Sequence, residues 1–300
     1  MNDYKNMKKL TLKGCGTALL TPFKADGSVD YEAFAASVDR QVEAGIHFLV
    51  PLGTTGETPC LSVEERIEIL KIAKAHSAGR PVVVGGGTNS LEATIESMRQ
   101  LEPYGPDAFL IVVPYYNKPT QEGQYQYFKA VAAATDKPII IYNVPGRTGA
   151  NIEAATVLRL ARDVENIVAV KEASGKYAQI SEIIAGAPEG FSVLSGNDDE
   201  TLSLMATGAK GVISVASNVA PAEMVGLVEA LLADRLPEAR KLHHRLFPLM
   251  KNLFVESNPG PAKYACAKLC LMQNVLRLPL VPVAPATEKI IDNTLAELWK

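Results

Sequence analysis

Two side chains that could do chemistry stand at the ends of neighbouring apolar runs in this 300-residue sequence. Lys171 directly follows Ile167–Val170, and Tyr142 ends Pro138–Tyr142. Burial and nearby cations lower the pKa of an amine, which makes it a nucleophile toward carbonyl groups. A phenol beside the resulting carbinolamine could transfer protons as a general acid and base. The pair therefore predicts Schiff-base chemistry on a lysine.

Both residues also have a purely structural interpretation. Lys171 could pair with Glu172 or another carboxylate, and Tyr142 could simply pack at the rim of a sheet. Because successive residues of a strand point to opposite sides, we expect Glu172 to face away from Lys171. This expectation favours a reactive lysine over a structural one.

Residues suited to binding carboxylate groups follow two of the runs. Thr54 and Thr55 lie between Gly53 and Gly56, where two hydroxyls and backbone N–H groups can approach an anion closely. Arg147 follows a Pro-Gly turn, and a guanidinium can clamp a carboxylate through two hydrogen bonds. Two alternatives stay open: hydroxyls that satisfy only their own turn, and an arginine in a surface salt bridge.

The elements that position these residues are eight apolar runs, each followed by an amphipathic stretch. The runs are rich in Val and Ile and largely lack polar alternation, which is typical of parallel strands buried on both faces. Eight strand–helix units predict an α/β fold, a closed (β/α)8 TIM barrel whose active site lies at the carboxyl ends of the strands. A doubly wound open sheet is the structural alternative. The predicted strands are Gly14–Leu20, Phe48–Leu52, Pro81–Gly85, Ala108–Val113, Pro138–Tyr142, Ile167–Val170, Phe191–Leu194 and Gly211–Val215.

Helices are predicted between the strands and after the last of them. Asp30 is a suitable N-cap, and Ser62 with Glu65 predicts a capping box. The barrel helices are predicted at Asp30–Ala44, Ser62–Ala75, Ser90–Leu101, Gln121–Ala134, Asn151–Leu160, Gln179–Ala185, Asp199–Thr207 and Pro221–Leu232. Further helices are predicted at Leu236–Phe254, Pro261–Leu271 and Glu288–Trp299, with a Pro-broken connector, Leu278–Ala286, before the last. We therefore expect a catalytic barrel over residues 1–234 and a C-terminal helical domain over residues 235–300.

Composition and missing motifs exclude several classes of function. The formal net charge is −3 without a basic stripe, which argues against nucleic acid as a partner. No uninterrupted apolar run approaches ~18 residues, and Met1–Leu10 is polar, so neither a membrane span nor a signal peptide is expected. The sequence lacks G-x-G-x-x-G opening a helix, Walker A and H-E-x-x-H motifs, so neither a dinucleotide nor a metal site is expected. A reduced, soluble, cytoplasmic protein is the resulting prediction.

Over nearly its whole length the sequence resembles the dihydrodipicolinate synthase family of pyruvate-dependent lyases. Several motifs in this order are highly specific to that superfamily, and Arg147 points within it to the synthases rather than to the sialic acid lyases. The motifs are Gly53-Thr54-Thr55-Gly56-Glu57, Pro114-Tyr115-Tyr116-Asn117, Tyr142-Asn143-Val144-Pro145-Gly146-Arg147-Thr148-Gly149, Val170-Lys171-Glu172-Ala173 and Glu256-Ser257-Asn258-Pro259.

The resemblance implies a catalytic group. Lys171 forms the Schiff base with pyruvate, and Tyr142 relays protons. Thr54 and Tyr116 complete a hydroxyl triad, in which Tyr116 typically reaches in from a neighbouring subunit. The family is usually a homotetramer, a dimer of dimers, and requires no metal or organic cofactor.

The resemblance also implies how the substrates are bound. Thr55 and the backbone at Ile213 hold the pyruvate carboxylate, with Gly196 among the substrate-binding residues. Arg147 binds the carboxylate of L-aspartate 4-semialdehyde at the entrance. Condensation of the two substrates leads to 4-hydroxy-tetrahydrodipicolinate, in the diaminopimelate route of lysine biosynthesis.

Regulation and alternative functions are less closely determined. Lysine-inhibited relatives carry His residues on the helix after the Thr-Thr loop, where this sequence has Val63 and Arg66, although Tyr115 and Asn89 are candidate allosteric contacts. The alternative within the same fold is another pyruvate-dependent aldolase, cleaving N-acetylneuraminate or 2-keto-3-deoxygluconate. The alternative from another class is a catalytically silent binding or regulatory paralogue.

Overall fold

A computed structural model describes residues 10 and 12–300 and contains eight parallel strands. Each predicted strand is confirmed, with ends that differ by no more than two residues. The prediction about Met1–Leu10 lies, except for Leu10, outside the described residues. The strands are β1 (Gly14–Ala18), β2 (Phe48–Val50), β3 (Val83–Gly85), β4 (Ala108–Val112), β5 (Ile139–Asn143), β6 (Ile167–Glu172), β7 (Ser192–Ser195) and β8 (Gly211–Ser214).

The strands form a closed barrel. Their order is β2-β1-β8-β7-β6-β5-β4-β3, so each strand pairs with its neighbours in the sequence and β1 pairs with β8. Hydrogen bonds from Leu49 N–H to the Pro81 carbonyl (2.9 Å) and from Gly85 N–H to the Pro51 carbonyl (3.2 Å) join β2 to β3. The predicted (β/α)8 barrel is confirmed. The doubly wound open sheet is wrong, because these hydrogen bonds join β2 to β3, the two ends of the strand order, and the sheet closes on itself.

Helices follow the strands and surround the barrel, and two predicted helix starts are confirmed. Asp30 Oδ1 accepts a hydrogen bond from Ala33 N–H (3.1 Å), while Ser62 and Glu65 form the reciprocal capping box. The barrel helices are α1 (Tyr31–Glu43), α2 (Val63–His76), α3 (Leu91–Leu101), α4 (Gln121–Ala133), α5 (Pro145–Thr148), α6 (Ala154–Asp163), α7 (Tyr177–Gly186), α8 (Thr201–Thr207) and α9 (Pro221–Leu232).

Three further helices follow the barrel: α10 (Leu236–Asn252), α11 (Gly260–Lys268) and α12 (Pro285–Leu298). Helix α10 packs against α9 and α12, and α11 packs against α12. We propose the division at 234/235 as a domain boundary, because the strand–helix alternation ends there. Among the described residues, no helix combines the length and apolar character needed to cross a bilayer.

Candidate active site

Lys171 and Tyr142 lie side by side on adjacent strands. Strand β6 is buried at all six positions, and its register with β5 sets Lys171 directly opposite Tyr142. The Lys171 side chain is buried, with the residue only 6% exposed, and Nζ lies 4.1 Å from the centre of the Tyr142 ring. An ammonium at this distance over a ring face is a favourable cation–π contact. The two residues that the sequence predicted to act together are therefore neighbours at the carboxyl end of the barrel.

Glu172 faces the other side of the sheet, as predicted. Its Oε1 accepts hydrogen bonds from Asn143 Nδ2 (2.9 Å) and Gln179 Nε2 (3.2 Å), residues of the strand–helix layer outside the barrel. Burial raises the pKa of Glu172, and the hydrogen bonds from neighbouring side chains oppose that shift. The interpretation of Lys171 as a structural partner of Glu172 is wrong, because the two side chains point to opposite faces.

Gly196 leaves room for the Lys171 side chain. A Cβ at this position would lie 2.7 Å from Ala173 Cβ and 3.1 Å from Lys171 Cε. The Gly196 N–H also donates to the Glu172 carbonyl (2.6 Å), which fixes the turn after β7 against the end of β6. A residue without a side chain is therefore required where this turn passes the lysine.

A buried carboxyl group connects the ends of the last two strands. Asp198 Oδ2 accepts hydrogen bonds from the N–H groups of Val215 and Ala216, both at 2.9 Å. Burial raises the pKa of Asp198, while the Lys171 ammonium acts in the opposite direction. Asp198 thus fixes the backbone after β8 beside the lysine and places a carboxyl group in the electrostatic environment of the amine.

The Thr-Thr segment forms a short 3₁₀ turn after β2, at Thr54–Gly56. Thr54 is exposed at the barrel mouth, whereas Thr55 is buried and its Oγ1 accepts a hydrogen bond from Asn258 Nδ2 (3.0 Å). The Thr55 hydroxyl proton remains available to donate to an anion while Asn258 holds the oxygen in place. The alternative in which the hydroxyls satisfy only their own turn is wrong for Thr55, because its partner comes from the C-terminal extension.

Arg147 lies on the short helix α5, which begins directly after β5. The residue is exposed, and its Nη2 donates to the Asn258 carbonyl at 3.4 Å. Arg147 is absent from the ion pairs found within the described residues, so its guanidinium can bind a carboxylate from solution. The surface salt bridge that was its structural alternative does not form there.

Two connected cavities open at this end of the barrel. The smaller, of about 50 Å³, is lined by Lys171, Thr55 and Gly196. The larger, of about 490 Å³, extends outward past Tyr115. The two cavities share part of their lining, which includes Thr54, Tyr142, Arg147 and Asn258. The arrangement can hold a small keto acid against the amine and admit a second, larger substrate beside the arginine.

A model of the dihydrodipicolinate synthetase family matches residues 11–298. The chain belongs to this family. The family consists of lyases that form a carbon–carbon bond through a Schiff base, and the chain is an enzyme of this kind.

Curated members of the family are similar over almost the full length. The 4-hydroxy-tetrahydrodipicolinate synthase of Koribacter versatilis is 50% identical over 290 residues, which cover 96% of both chains. The same enzyme of Parabacteroides distasonis is 48% identical over 97% of this chain and 99% of the relative.

Solved structures of family members have the same fold. The dihydrodipicolinate synthase of Thermotoga maritima is 44% identical, with a TM-score of 0.95 over 97% of this chain and 99% of that chain. The chloride-inhibited enzyme of Acinetobacter baumannii, solved as a complex with pyruvate, is 38% identical, with a TM-score of 0.94 over 96% of this chain and 99% of that chain.

Some residues predicted from the family resemblance lie away from the cavities in a single chain. Tyr116 has a positive φ of 69° and is 87% exposed. Ile213 is buried in β8 and does not line either cavity, although Val215, two residues beyond it, lines the smaller one. Of the two candidate allosteric residues, Tyr115 lines the larger cavity, and Asn89 does not.

Three residues at the site had no assigned role in the sequence. Asn258 contacts both Thr55 and Arg147, although it had been noted only as part of a family motif. Asp198 lies in the loop after β7 and is buried. Glu57, the last residue of the Thr-Thr motif, is buried. A charged residue in the loop that follows a barrel strand is a signal that could have identified Asp198 and Glu57. The contacts of Asn258 instead depend on a chain segment 203 positions away from Thr55.

Proposed function

We propose that this enzyme is a 4-hydroxy-tetrahydrodipicolinate synthase, which condenses pyruvate with L-aspartate 4-semialdehyde in the diaminopimelate route to lysine. The observation that carries the proposal is the buried amine of Lys171, which lies 4.1 Å from the centre of the Tyr142 ring and lines the smaller cavity at the barrel mouth. Family membership and relatives up to 50% identical with this name support it.

The chemistry begins with the neutral amine of Lys171, which attacks the keto carbon of pyruvate to give a carbinolamine. Loss of water gives an iminium, and the iminium withdraws electrons so that the pyruvate methyl group can lose a proton without a metal. The phenol of Tyr142 serves as the proton relay in these steps. Thr55, held by Asn258, binds the pyruvate carboxylate.

The second half of the reaction uses the larger cavity. Arg147 binds the carboxylate of L-aspartate 4-semialdehyde, so that the aldehyde lies beside the enamine formed on Lys171. The enamine carbon attacks the aldehyde carbon and forms the new carbon–carbon bond. The amino group of the substrate then displaces Lys171, which closes the ring and returns the free amine.

The exposure of Tyr116 supports a further part of the proposal. In a single chain this residue is 87% exposed and lines neither of the two cavities. We propose that it completes the proton relay of a neighbouring subunit in a homotetramer built as a dimer of dimers. Accordingly, Tyr116→Phe should slow turnover in an assembly that is otherwise intact, which sedimentation and a coupled assay would measure together.

Borohydride reduction in the presence of pyruvate tests the proposed function. We expect a mass increase located on Lys171 in the wild type and none in Lys171→Ala, which should also lose turnover with pyruvate and L-aspartate 4-semialdehyde. The exposed Lys176, on the loop after β6, offers a matched control, and Lys176→Ala should be labelled as the wild type is. Turnover of N-acetylneuraminate or 2-keto-3-deoxygluconate, with none of the semialdehyde, would instead establish the other aldolase function.

A further inference from the structure

A buried ion pair joins the Thr-Thr loop to the C-terminal extension. Lys263, on α11, is fully buried, and its Nζ lies 2.5 Å from Glu57 Oε1, whose side chain is equally buried. Lys263 Nζ also donates to the Val275 carbonyl (2.7 Å), and the other Glu57 oxygen, Oε2, accepts from Arg277 N–H (3.1 Å). Glu57 and Lys263, which are 206 positions apart in the sequence, thus form an ion pair at the end of the proposed pyruvate-binding turn.

Glu57 controls the shape of that turn. It has left-handed backbone angles, φ 53° and ψ 35°, and ends the turn at Thr54–Gly56 by donating its N–H to the Thr54 carbonyl (3.1 Å). Residues other than glycine occupy this conformation at a cost, and they remain there only when surrounding contacts hold them. The contacts that hold the Glu57 side chain are the ion pair and the Arg277 N–H, while its carbonyl accepts a hydrogen bond from Cys60 N–H (2.8 Å).

The charged groups around Lys263 come from several elements. Glu57 faces it from the Thr-Thr loop and Arg277 from the connector before α12, while the Cys60 thiol lies nearby. The Phe23 ring lies under both cations, 3.9 Å from Lys263 Nζ and 4.5 Å from Arg277 Cζ. Arg277 is itself neutralised by a two-pronged contact with Glu65 on α2 (2.6 and 2.7 Å), so Glu57 is the carboxylate that pairs with Lys263.

We infer that Lys263 is a positioning residue for pyruvate: through Glu57 it fixes the turn that presents Thr54 and Thr55 to the substrate. The inference rests on the proposed function. It assigns to the C-terminal extension a direct part in substrate affinity. Asn258, from the same extension, holds Thr55 Oγ1 at the other end of the turn, so the two contacts enclose the carboxylate-binding segment.

Stability alone gives a poor account of this pair. Burial lowers the pKa of Lys263 to about 8, with the Glu57 carboxylate opposing the shift. Removal of both charges from water opposes the attraction between them, so a buried ion pair is weak evidence for stability. A buried pair at the end of a substrate-binding loop is better explained by the geometry that it imposes.

Paired substitutions separate positioning from stability. Lys263→Met removes the positive charge and largely keeps the length of the side chain. Glu57→Gln/Lys263→Met removes both charges, so no unpaired charge stays buried. Lys268→Met is the matched control, because Lys268 is on the same helix and forms an exposed ion pair with Asp292 (3.2 Å). Thermal melting, KM for pyruvate, kcat, and borohydride labelling of Lys171 at saturating pyruvate are measured for each protein.

We expect KM for pyruvate to rise at least about tenfold in Lys263→Met and to stay raised in the double variant, even where the double variant melts near the wild type. Labelling of Lys171 at saturating pyruvate should remain complete, and Lys268→Met should match the wild type. A folded Lys263→Met or double variant with the wild-type KM overturns the inference. If the wild type itself is not labelled at Lys171, the proposed function fails instead.

If neither variant folds, the pH dependence of KM for pyruvate in the wild type tests the inference. As the pH rises through about 8, Lys263 loses its proton and Glu57 loses its charged partner. KM for pyruvate in the wild type should then increase between about pH 7 and pH 9. A KM that stays constant over this interval overturns the inference.

Discussion

The most direct test of the site geometry is the addition of one methyl group at Gly196. In Gly196→Ala the new Cβ would lie 2.7 Å from Ala173 Cβ, 3.0 Å from the Glu172 carbonyl oxygen and 3.1 Å from Lys171 Cε. Ordinary carbon–carbon contacts are about 3.5–4.0 Å, so the atoms around the new Cβ must move away by roughly 1 Å. Ala173 Cβ and the Glu172 carbonyl belong to the strand end and are rigid, whereas the Lys171 side chain can move.

The size of the effect follows from that displacement. Overpacking in a close-packed region costs about 1–3 kcal/mol of unfolding free energy. A displacement of about 1 Å at a reacting group costs on the order of 10²-fold in rate, which corresponds to about 2.7 kcal/mol of activation free energy. We therefore expect Gly196→Ala to remain folded and to lose about two orders of magnitude in the rate of borohydride labelling at Lys171.

Gly226→Ala provides the control for this experiment. Gly226 is within α9, where the nearest heavy atom to an added Cβ is Leu242 Cδ1 at 3.7 Å. Replacing a helical glycine without a clash should raise the unfolding free energy by about 0.5–1 kcal/mol and leave labelling unchanged. Wild-type labelling kinetics in Gly196→Ala would show that the lysine is not confined by this turn, and the reasoning about the site would then be refuted.

Three further predictions concern binding, capping and pH. Thr55→Val removes the hydroxyl that Asn258 holds and should raise KM for pyruvate about tenfold, or about 1.4 kcal/mol, in steady-state assays; an unchanged KM would contradict the role of Thr55. Ser62→Ala removes one half of the capping box with Glu65 and should lower the unfolding free energy by about 1 kcal/mol in urea titrations without changing KM. Burial raises the pKa of the Glu172 carboxyl above its ordinary value of 4.5, so ionisation of this group opposes folding. The stability that the protonated carboxyl contributes is lost as the pH rises from 4.5 through the raised pKa. Glu172→Gln should therefore gain stability relative to the wild type over that interval. Parallel stability curves for the two proteins would exclude that cost.

The strands were predictable from the sequence because the barrel buries them on both faces. Continuous Val- and Ile-rich runs result, and the ends of these runs are the ends of strands. Lys171 was located for the same reason, although β6 extends through Glu172, so that the lysine belongs to the strand rather than following it. The signal in the sequence arises from the burial of β6. The register between β5 and β6 then places Tyr142 beside Lys171.

Elements fixed by side-chain contacts were predicted less well. The helix expected to begin at Asn151 begins at Ala154, because Asn151 is held in an extended segment by hydrogen bonds with Asn143 (3.1 Å) and Gln179 (2.9 Å). Helix α5 was missed, since four residues are too few for a periodic pattern. The connector before α12 was predicted to extend two residues too far, to Ala286, because Pro285 is the first residue of that helix, a position that favours proline.

Two buried lysines, Lys171 and Lys263, show that burial alone does not define a catalytic amine. Lys263 is the more deeply buried, and a carboxylate contacts it directly. Lys171 has the Tyr142 ring face as its neighbour, and within the described residues no carboxylate lies at ion-pair distance from its Nζ. Lys263 Nζ is engaged by Glu57 and the Val275 carbonyl, and Lys263 lines neither cavity, whereas Lys171 lines the smaller cavity. An amine must reach a carbonyl carbon to attack it, so access to a cavity separates the two roles: Lys263 holds a loop, and Lys171 faces the substrate.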